Sequence, residues 1–157
     1  MRVVVVGSGG REHALADVLG RTATEVVVTP GNPGIPGSVS APPTELDGDL
    51  FVIGPEVPLV EGLADELRAQ GKLVYGPGAE GAQLEGSKAY MKDLLVAAGV
   101  PTAAHGAFTE VQPALEFLAT MSAPFVIKTD GLAAGKGVLV TNDRKDAEEA
   151  ILSLIHI

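Results

Sequence analysis

No cysteine occurs in this chain, which excludes a disulfide framework, a thiolate metal site and a cysteine nucleophile. Aromatic residues make up only 4% of it, so the core must be built from aliphatic side chains. Basic residues are scarce: 11 Lys and Arg stand against 20 Asp and Glu, a formal net charge of −9. That balance argues against a nucleic-acid or acidic-membrane surface, although it leaves room for local basic pockets. Long apolar runs are missing too. Met1 and Arg2 are followed by only four valines before Gly7, too few for a signal-peptide core or a membrane span. A soluble, cytoplasmic protein is expected. What is present suffices for a core. Apolar residues are 46% of 157 positions, which argues against disorder and allows one domain or one and a half.

Residues 125–140 are the most informative stretch. Two apolar, β-branched runs, 125–127 and 138–140, flank a loop of small residues that holds Gly131, Gly135 and Gly137. Lys128 and Lys136 stand at the two ends of that loop. The pattern predicts a hairpin whose loop is longer and barer than usual. Backbone N–H groups left uncovered between two lysines would seat phosphate oxygens. An ordinary hairpin with a loose tip has the same composition, and Asp130-Gly131 is a common turn pair. A Walker loop is excluded. Only three residues separate Gly131 from Gly135, and a strand rather than a helix follows.

The chain opens with the β-branched run 3–6, the mark of a strand buried on both faces. A glycine turn through Gly7, Gly9 and Gly10 leads to Arg11, Glu12 and His13. Ala14, Leu15, Val18 and Leu19 then recur at helical spacing until Gly20. Strand, glycine turn and helix open a doubly wound fold, and the helix start favours an anion. A dinucleotide reading fails twice: Glu12 stands where a third glycine belongs, and the second strand, 25–29, ends in Thr29 rather than an acid. A single phosphate aided by Arg11 fits better, whereas Arg11 and His13 taken singly also suit a solvated first turn.

Residues 30–48 are rich in Pro, Gly and Ser and lack a helical period, so this crossover looks bare. A third strand, 50–53, ends at Gly54 and Glu56. Pro58, Val60, Leu63, Ala64 and Leu67 then mark one helix, with Gly71 at its end. A fourth short strand, 73–75, follows. The loops bearing Gly9 to Arg11, Asn32 and Glu56 thus fall at the carboxyl ends of parallel strands, where such sheets bind ligands. Turn chemistry and solvent exposure would also account for Asn32 and Glu56. Ser87 is placed to cap a helix carrying Lys88 and Lys92, which Gly99 and Pro101 stop. Residues 100–108 read as a linker with room for a short strand. Thr109 and Gln112 form a capping-box pattern for the next helix. Asn142 or Asp143 would cap a last helix over 147–151.

In this order, five motifs resemble the N-terminal part of the phosphoribosylamine–glycine ligase (glycinamide ribonucleotide synthetase) family, within the ATP-grasp superfamily. They are residues 7–14, 30–32, 54–60, 84–88 and 128–138, and the likeness extends to about Ile151. The resemblance implies an α/β fold. An open parallel sheet with flanking helices over residues 1–100 would bind phosphoribosylamine, and 101–151 would be part of an α+β ATP-grasp lobe. It implies that glycine is activated as glycyl phosphate by ATP with Mg2+ or Mn2+ and captured by the amine, giving glycinamide ribonucleotide, ADP and phosphate in purine biosynthesis. Gly9, Gly10, Arg11, Asn32 and Glu56 would hold the amine substrate. Lys88, Lys128, Gly131, Gly135, Lys136 and Gly137 would hold ATP. No catalytic nucleophile is expected. Metal ligands would lie in a further lobe beyond this stretch, so the 157 residues alone are expected to be inactive. Partners would be phosphoribosylamine, glycine and ATP, with no nucleic acid or membrane. A sugar-phosphate-binding module with weak nucleotide affinity is the rival reading.

Three features depart from the family pattern. The crossover 38–49 is shorter than usual and lacks the family's helix, which would leave one sheet face less covered. Thr129 replaces the usual alanine. Residues 152–157 do not continue the family sequence and match a translated sequencing-library adapter, so a non-native tail is expected, the alternative being a normal helix end with Leu152, Leu154 and Ile155 apolar.

Overall fold

The computed structural model describes residues 1–132 and 137–155. The chain divides into two compact units, Met1–Gly86 and Ser87–Ile157. The sequence pattern places a domain boundary at residue 100, after the helix that begins at Lys88. The observed division precedes that helix, whose first turn is bonded to Asp130 of the second unit.

The first unit is an α/β layer structure. Strand β1 (Arg2–Gly7) leads into helix α1 (Gly10–Gly20), followed by β2 (Glu25–Pro30) and β3 (Leu50–Ile53). Helices α2 (Glu56–Val60) and α3 (Leu63–Ala69) precede β4 (Val74–Tyr75) and α4 (Ala79–Gly86). The sheet order is β2-β1-β3-β4, all parallel. The central β1 is buried on both faces, as its valine run requires. Val4 and Val6 join Phe51, Ile53, Leu59, Ala64 and Leu67 on one side. Val3 and Val5 join Ala16, Val28, Ile35 and Val52 on the other. Complete burial of a side chain such as Phe51 or Leu67 contributes about 1.5–3 kcal/mol.

The expected single helix after β3 is two helices, because Gly62 adopts φ +92° between them. Helix α4 was not legible in its glycine-bearing sequence. Asp65 on α3 supplies its start, accepting the Ala79 N–H at 2.7 Å. The crossover after β2 contains no α-helix, only a 3-10 turn at Pro43–Glu45. It is nevertheless anchored. Ile35 is buried in the sheet core, and Ser38 bridges to Val28 beside the open edge of β2. Lys72 donates to the carbonyls of Thr44 (2.9 Å) and Leu46 (3.0 Å) while its ammonium sits 4.9 Å from the Phe51 ring centre. Backbone and lysine contacts therefore do the covering that a helix would otherwise provide.

The second unit comprises α5 (Lys88–Ala97), α6 (Val111–Thr120), the antiparallel pair β5 (Phe125–Lys128) and β6 (Val138–Thr141), and α7 (Arg144–Ile155). Ala114, Leu118, Phe125, Ala147 and Ile151 form its core, on the helix-facing side of the hairpin. Val126, Val138 and Val140 are exposed on the other side. Residues 100–108 form no strand. Helix α6 starts after Glu110 without a side-chain cap, and Gln112 instead bonds Glu116 at 2.9 Å, so the expected capping box does not form. Helix α7 is longer than expected. It continues through 152–155, and Ile155 packs partly against the core. No helix among the described residues is long and apolar enough to cross a membrane.

Candidate functional site

The strand order turns back at β1, so the chain leaves β1 and β3 towards opposite faces and opens a crevice at their carboxyl ends. An open cleft of about 550 Å³ lies there, lined by Gly7, Ser8, Gly9, Glu12, Pro30, Pro43, Pro55, Pro58 and neighbours. Three loops meet around it through specific bonds. Gly31 donates its N–H to the Gly7 carbonyl at 3.0 Å. The Asn32 side-chain amide donates to the Ser8 carbonyl at 2.7 Å, and its oxygen accepts the Gly34 N–H at 2.7 Å. Arg11 reaches from the first turn of α1 to the loop after β3, donating to the Gly54 carbonyl at 2.6 Å and to Glu56 at 2.9 Å.

Electrostatics follow from that last pair. The hydrogen bond from Arg11, then the backbone bond at its own position, hold the Glu56 carboxyl below the ordinary glutamate range. The same hydrogen bond raises Arg11. Both side chains stay substantially exposed, at 59% and 43%, so they remain reachable by a ligand. Gly9, Gly10, Arg11, Asn32 and Glu56, named from sequence, are therefore brought to one sheet edge. Of these, Gly9 lines the cleft itself, and Arg11 and Glu56 are already paired with each other.

In the second unit the hairpin loop is tied to the start of α5. Asp130 accepts the Ser87 hydroxyl at 2.8 Å and the Lys88 N–H at 2.6 Å. Ser87 in turn caps Tyr90 N–H at 3.1 Å, as the sequence predicts. The Lys88 ammonium donates to the Gly131 carbonyl at 2.7 Å. Thr129 N–H bonds the Gly137 carbonyl at 2.9 Å, extending the ladder past Lys128 and Val138. Gly137 holds φ +75° close against Thr129, a position that a side chain would strain. The Thr129 departure thus shapes the loop's base. Lys128 is exposed on the hairpin's outer face. Gly135 and Lys136 lie outside the described residues.

Two participants escaped the sequence reading. Glu12 registered only as a misfit to the dinucleotide pattern, although Gly9 and Glu12 have capping-box spacing. Asp130 registered only as a turn residue, because its bond to Ser87 spans 43 positions and leaves no local signature. Among the described residues, no three His, Asp or Glu side chains cluster as a metal site.

Residues 1–85 match the family model "Phosphoribosylglycinamide synthetase, N domain", and 86–157 match its "ATP-grasp (A) domain". The phosphoribosylamine–glycine ligase of Xanthomonas campestris pv. campestris is 45% identical over 172 aligned positions, covering 99% of this chain and 40% of that protein. The ligase of Escherichia coli strain K12 is also 45% identical, with the same coverage. A crystal structure of the Thermotoga maritima ligase superposes with a TM-score of 0.76 at 33% identity, over 95% of this chain and 38% of that one. N5-carboxyaminoimidazole synthetase from Staphylococcus aureus, complexed with ADP, shares the fold at a TM-score of 0.78 and 20% identity, over 99% of this chain and 44% of that one. The chain spans about 40% of the length of the curated ligases it matches. With both family models matched end to end along the same residues that build the crevice and the hairpin, the chain belongs to the phosphoribosylglycinamide synthetase family.

Proposed function

We propose that this chain supplies the amine-substrate seat and the phosphate flap of a cytoplasmic, ATP-dependent ligase that joins glycine to 5-phosphoribosylamine in purine biosynthesis. The observation that carries the reading is the convergence of Gly9–Arg11, Asn32 and Glu56 at one sheet edge, linked by the Arg11 bonds to Gly54 and Glu56. In the overall reaction the γ-phosphoryl group of ATP passes to the glycine carboxylate, giving glycyl phosphate and ADP. The amine of phosphoribosylamine then attacks the acyl carbon and loses a proton. The bond to phosphate breaks, releasing phosphate and glycinamide ribonucleotide.

The roles follow from charge and position. N–H groups at the start of α1, with Arg11, suit the phosphate of the amine substrate. Asn32 and Glu56 face the polar sugar and amine end, with the ionised Glu56 favouring an ammonium or amine donor. On the hairpin, exposed Val126, Val138 and Val140 beside Lys128 make an apolar strip ending in a cation, which suits a flat base and its phosphates. Lys88 and Gly131 stand at the loop's entrance, Gly137 at its exit, with Gly135 and Lys136 assigned to it from sequence. Neutralising and positioning phosphates is the main protein contribution to phosphoryl transfer. Magnesium or manganese would accompany ATP and neutralise charge on its phosphates.

A chimera tests this reading. These 157 residues replace the matching segment of the Escherichia coli ligase, and ADP release is measured with glycine and freshly generated phosphoribosylamine. Release that requires both substrates is expected. A folded chimera that binds ATP yet releases no ADP would overturn the assignment.

A further inference from the structure

Glu12 is 4% exposed although it carries a carboxyl group, and it lies at the third position of α1 rather than in the sheet core. Its Oε2 accepts the Gly9 N–H at 2.7 Å. The side chain fills the gap between the ends of β1 and β3. A Cβ on Gly7 would lie 2.5 Å from its Cγ, and a Cβ on Gly54 would lie 2.1 Å from its Oε1. The two glycines are thus the space into which Glu12 fits. Burying a carboxylate is costly unless bonded, and here the Gly9 N–H and the positive end of α1 offset that cost. In dinucleotide-binding loops a glycine occupies this position and leaves the gap open. Here the gap is closed and the Gly9 N–H is already spent on Glu12. The N–H groups of Gly10 and Arg11, which begin α1, have no intrahelical acceptor.

We infer that Glu12 is a positioning residue. By holding the Gly9 N–H and filling the space between Gly7 and Gly54, it fixes the loop so that a phosphomonoester is received by Gly10 and Arg11, not by Gly9. The ligand half of this inference rests on the proposed amine-substrate seat. The loop half stands on the geometry alone.

The test uses the full 157-residue chain, ribose 5-phosphate as probe, and amide exchange by NMR. The parent chain is expected to show slow exchange at Gly9 and shifts at Gly10 and Arg11 on adding the probe. Glu12→Gln keeps an acceptor oxygen of nearly the same shape, so Gly9 stays protected and affinity stays within about threefold. Glu12→Ala is expected to speed Gly9 exchange and weaken the probe by about tenfold. Gly54→Ala, which displaces the carboxylate while leaving it in place chemically, is expected to do the same and serves if Glu12→Ala does not fold. Unchanged Gly9 exchange in Glu12→Ala and Gly54→Ala overturns the inference. So does lost protection with unchanged affinity, or a Glu12→Gln chain that keeps Gly9 protected yet binds as weakly as Glu12→Ala. A parent that binds no ribose 5-phosphate overturns the ligand reading, while the exchange comparison still decides whether Glu12 holds the loop.

Discussion

The Asp130 carboxylate accepts the Ser87 hydroxyl at 2.8 Å, and so the head of the hairpin loop is fastened to the start of helix α5. One carboxylate thereby serves as helix cap and loop anchor at once. Its removal should be felt in both elements.

Acid should loosen this clasp. Burial raises the Asp130 pKa, but bonds from the Ser87 hydroxyl and from the N–H groups of Gly131, Lys88 and Ala89 outweigh it, and the carboxyl is held below its ordinary value. A depressed native pKa means stability that is present above the unfolded value, near 3.9, and lost as pH falls through the native one. Urea unfolding followed at Tyr90, in a Tyr75→Phe background, should show the second unit weakening as pH drops below about 4. Asp130→Asn should flatten that acid dependence. It should also cost on the order of 1 kcal/mol at pH 7, the usual worth of a cap. An acid profile identical in the Asn variant would contradict the assignment.

The two units should respond separately to core damage. Phe51 is fully buried in the first unit, beneath the Lys72 ammonium. Phe51→Ala should cost about 3–5 kcal/mol there. The transition reported by Tyr75 should move and that reported by Tyr90 should stay. Equal shifts at both probes would show one cooperative block instead.

Arg11 joins the first helix to the loop after β3, so it has a structural and a ligand role that substitutions can separate. Arg11→Ala should weaken ribose 5-phosphate by about tenfold, from loss of a charge-assisted contact. Arg11→Lys should restore part of the affinity, because it returns the charge without the planar guanidinium, whose one terminal nitrogen bonds both Gly54 and Glu56. Isothermal titration distinguishes these. Equal affinity in all three chains would remove Arg11 from the site.

Nucleotide should depend on the other unit. Lys128→Ala should lower ATP affinity by about tenfold while leaving ribose 5-phosphate binding unchanged. Lys88→Ala should do likewise and also release the Gly131 carbonyl it now holds. A loss of ribose 5-phosphate binding in Lys128→Ala would contradict the division of labour.

Much of this was legible because it is written locally. The valine run of β1, the glycine turn before α1, the Ser87 cap and the paired apolar runs of the hairpin each carry their own signal over a few residues. The convergence of Arg11, Asn32 and Glu56 was legible as well, since parallel strands must bring their carboxyl ends to one edge. What escaped is held by distant partners. Helix α4 has weak helical composition and starts where Asp65 caps it from another helix. The break between α2 and α3 depends on the left-handed backbone of Gly62, which composition alone does not reveal. Glu12 looked like a misfit because its purpose lies in the emptiness of Gly7 and Gly54, and Gly54 is 42 positions away. The division at Gly86 and Ser87 was not legible for the same reason: the bond from Lys88 to Asp130 crosses 42 positions.

The most direct measurement is an amide NMR titration of the 157-residue chain with ribose 5-phosphate and, separately, with ATP. Ribose 5-phosphate should shift Gly10, Arg11, Asn32 and Glu56 and leave Lys128 and Gly131 unmoved. ATP should shift Lys88, Lys128, Gly131 and Gly137 and leave the first group unmoved. Shifts by ribose 5-phosphate on the hairpin, or none at the carboxyl ends of β1, β2 and β3, would contradict the sugar-phosphate seat on which the account rests.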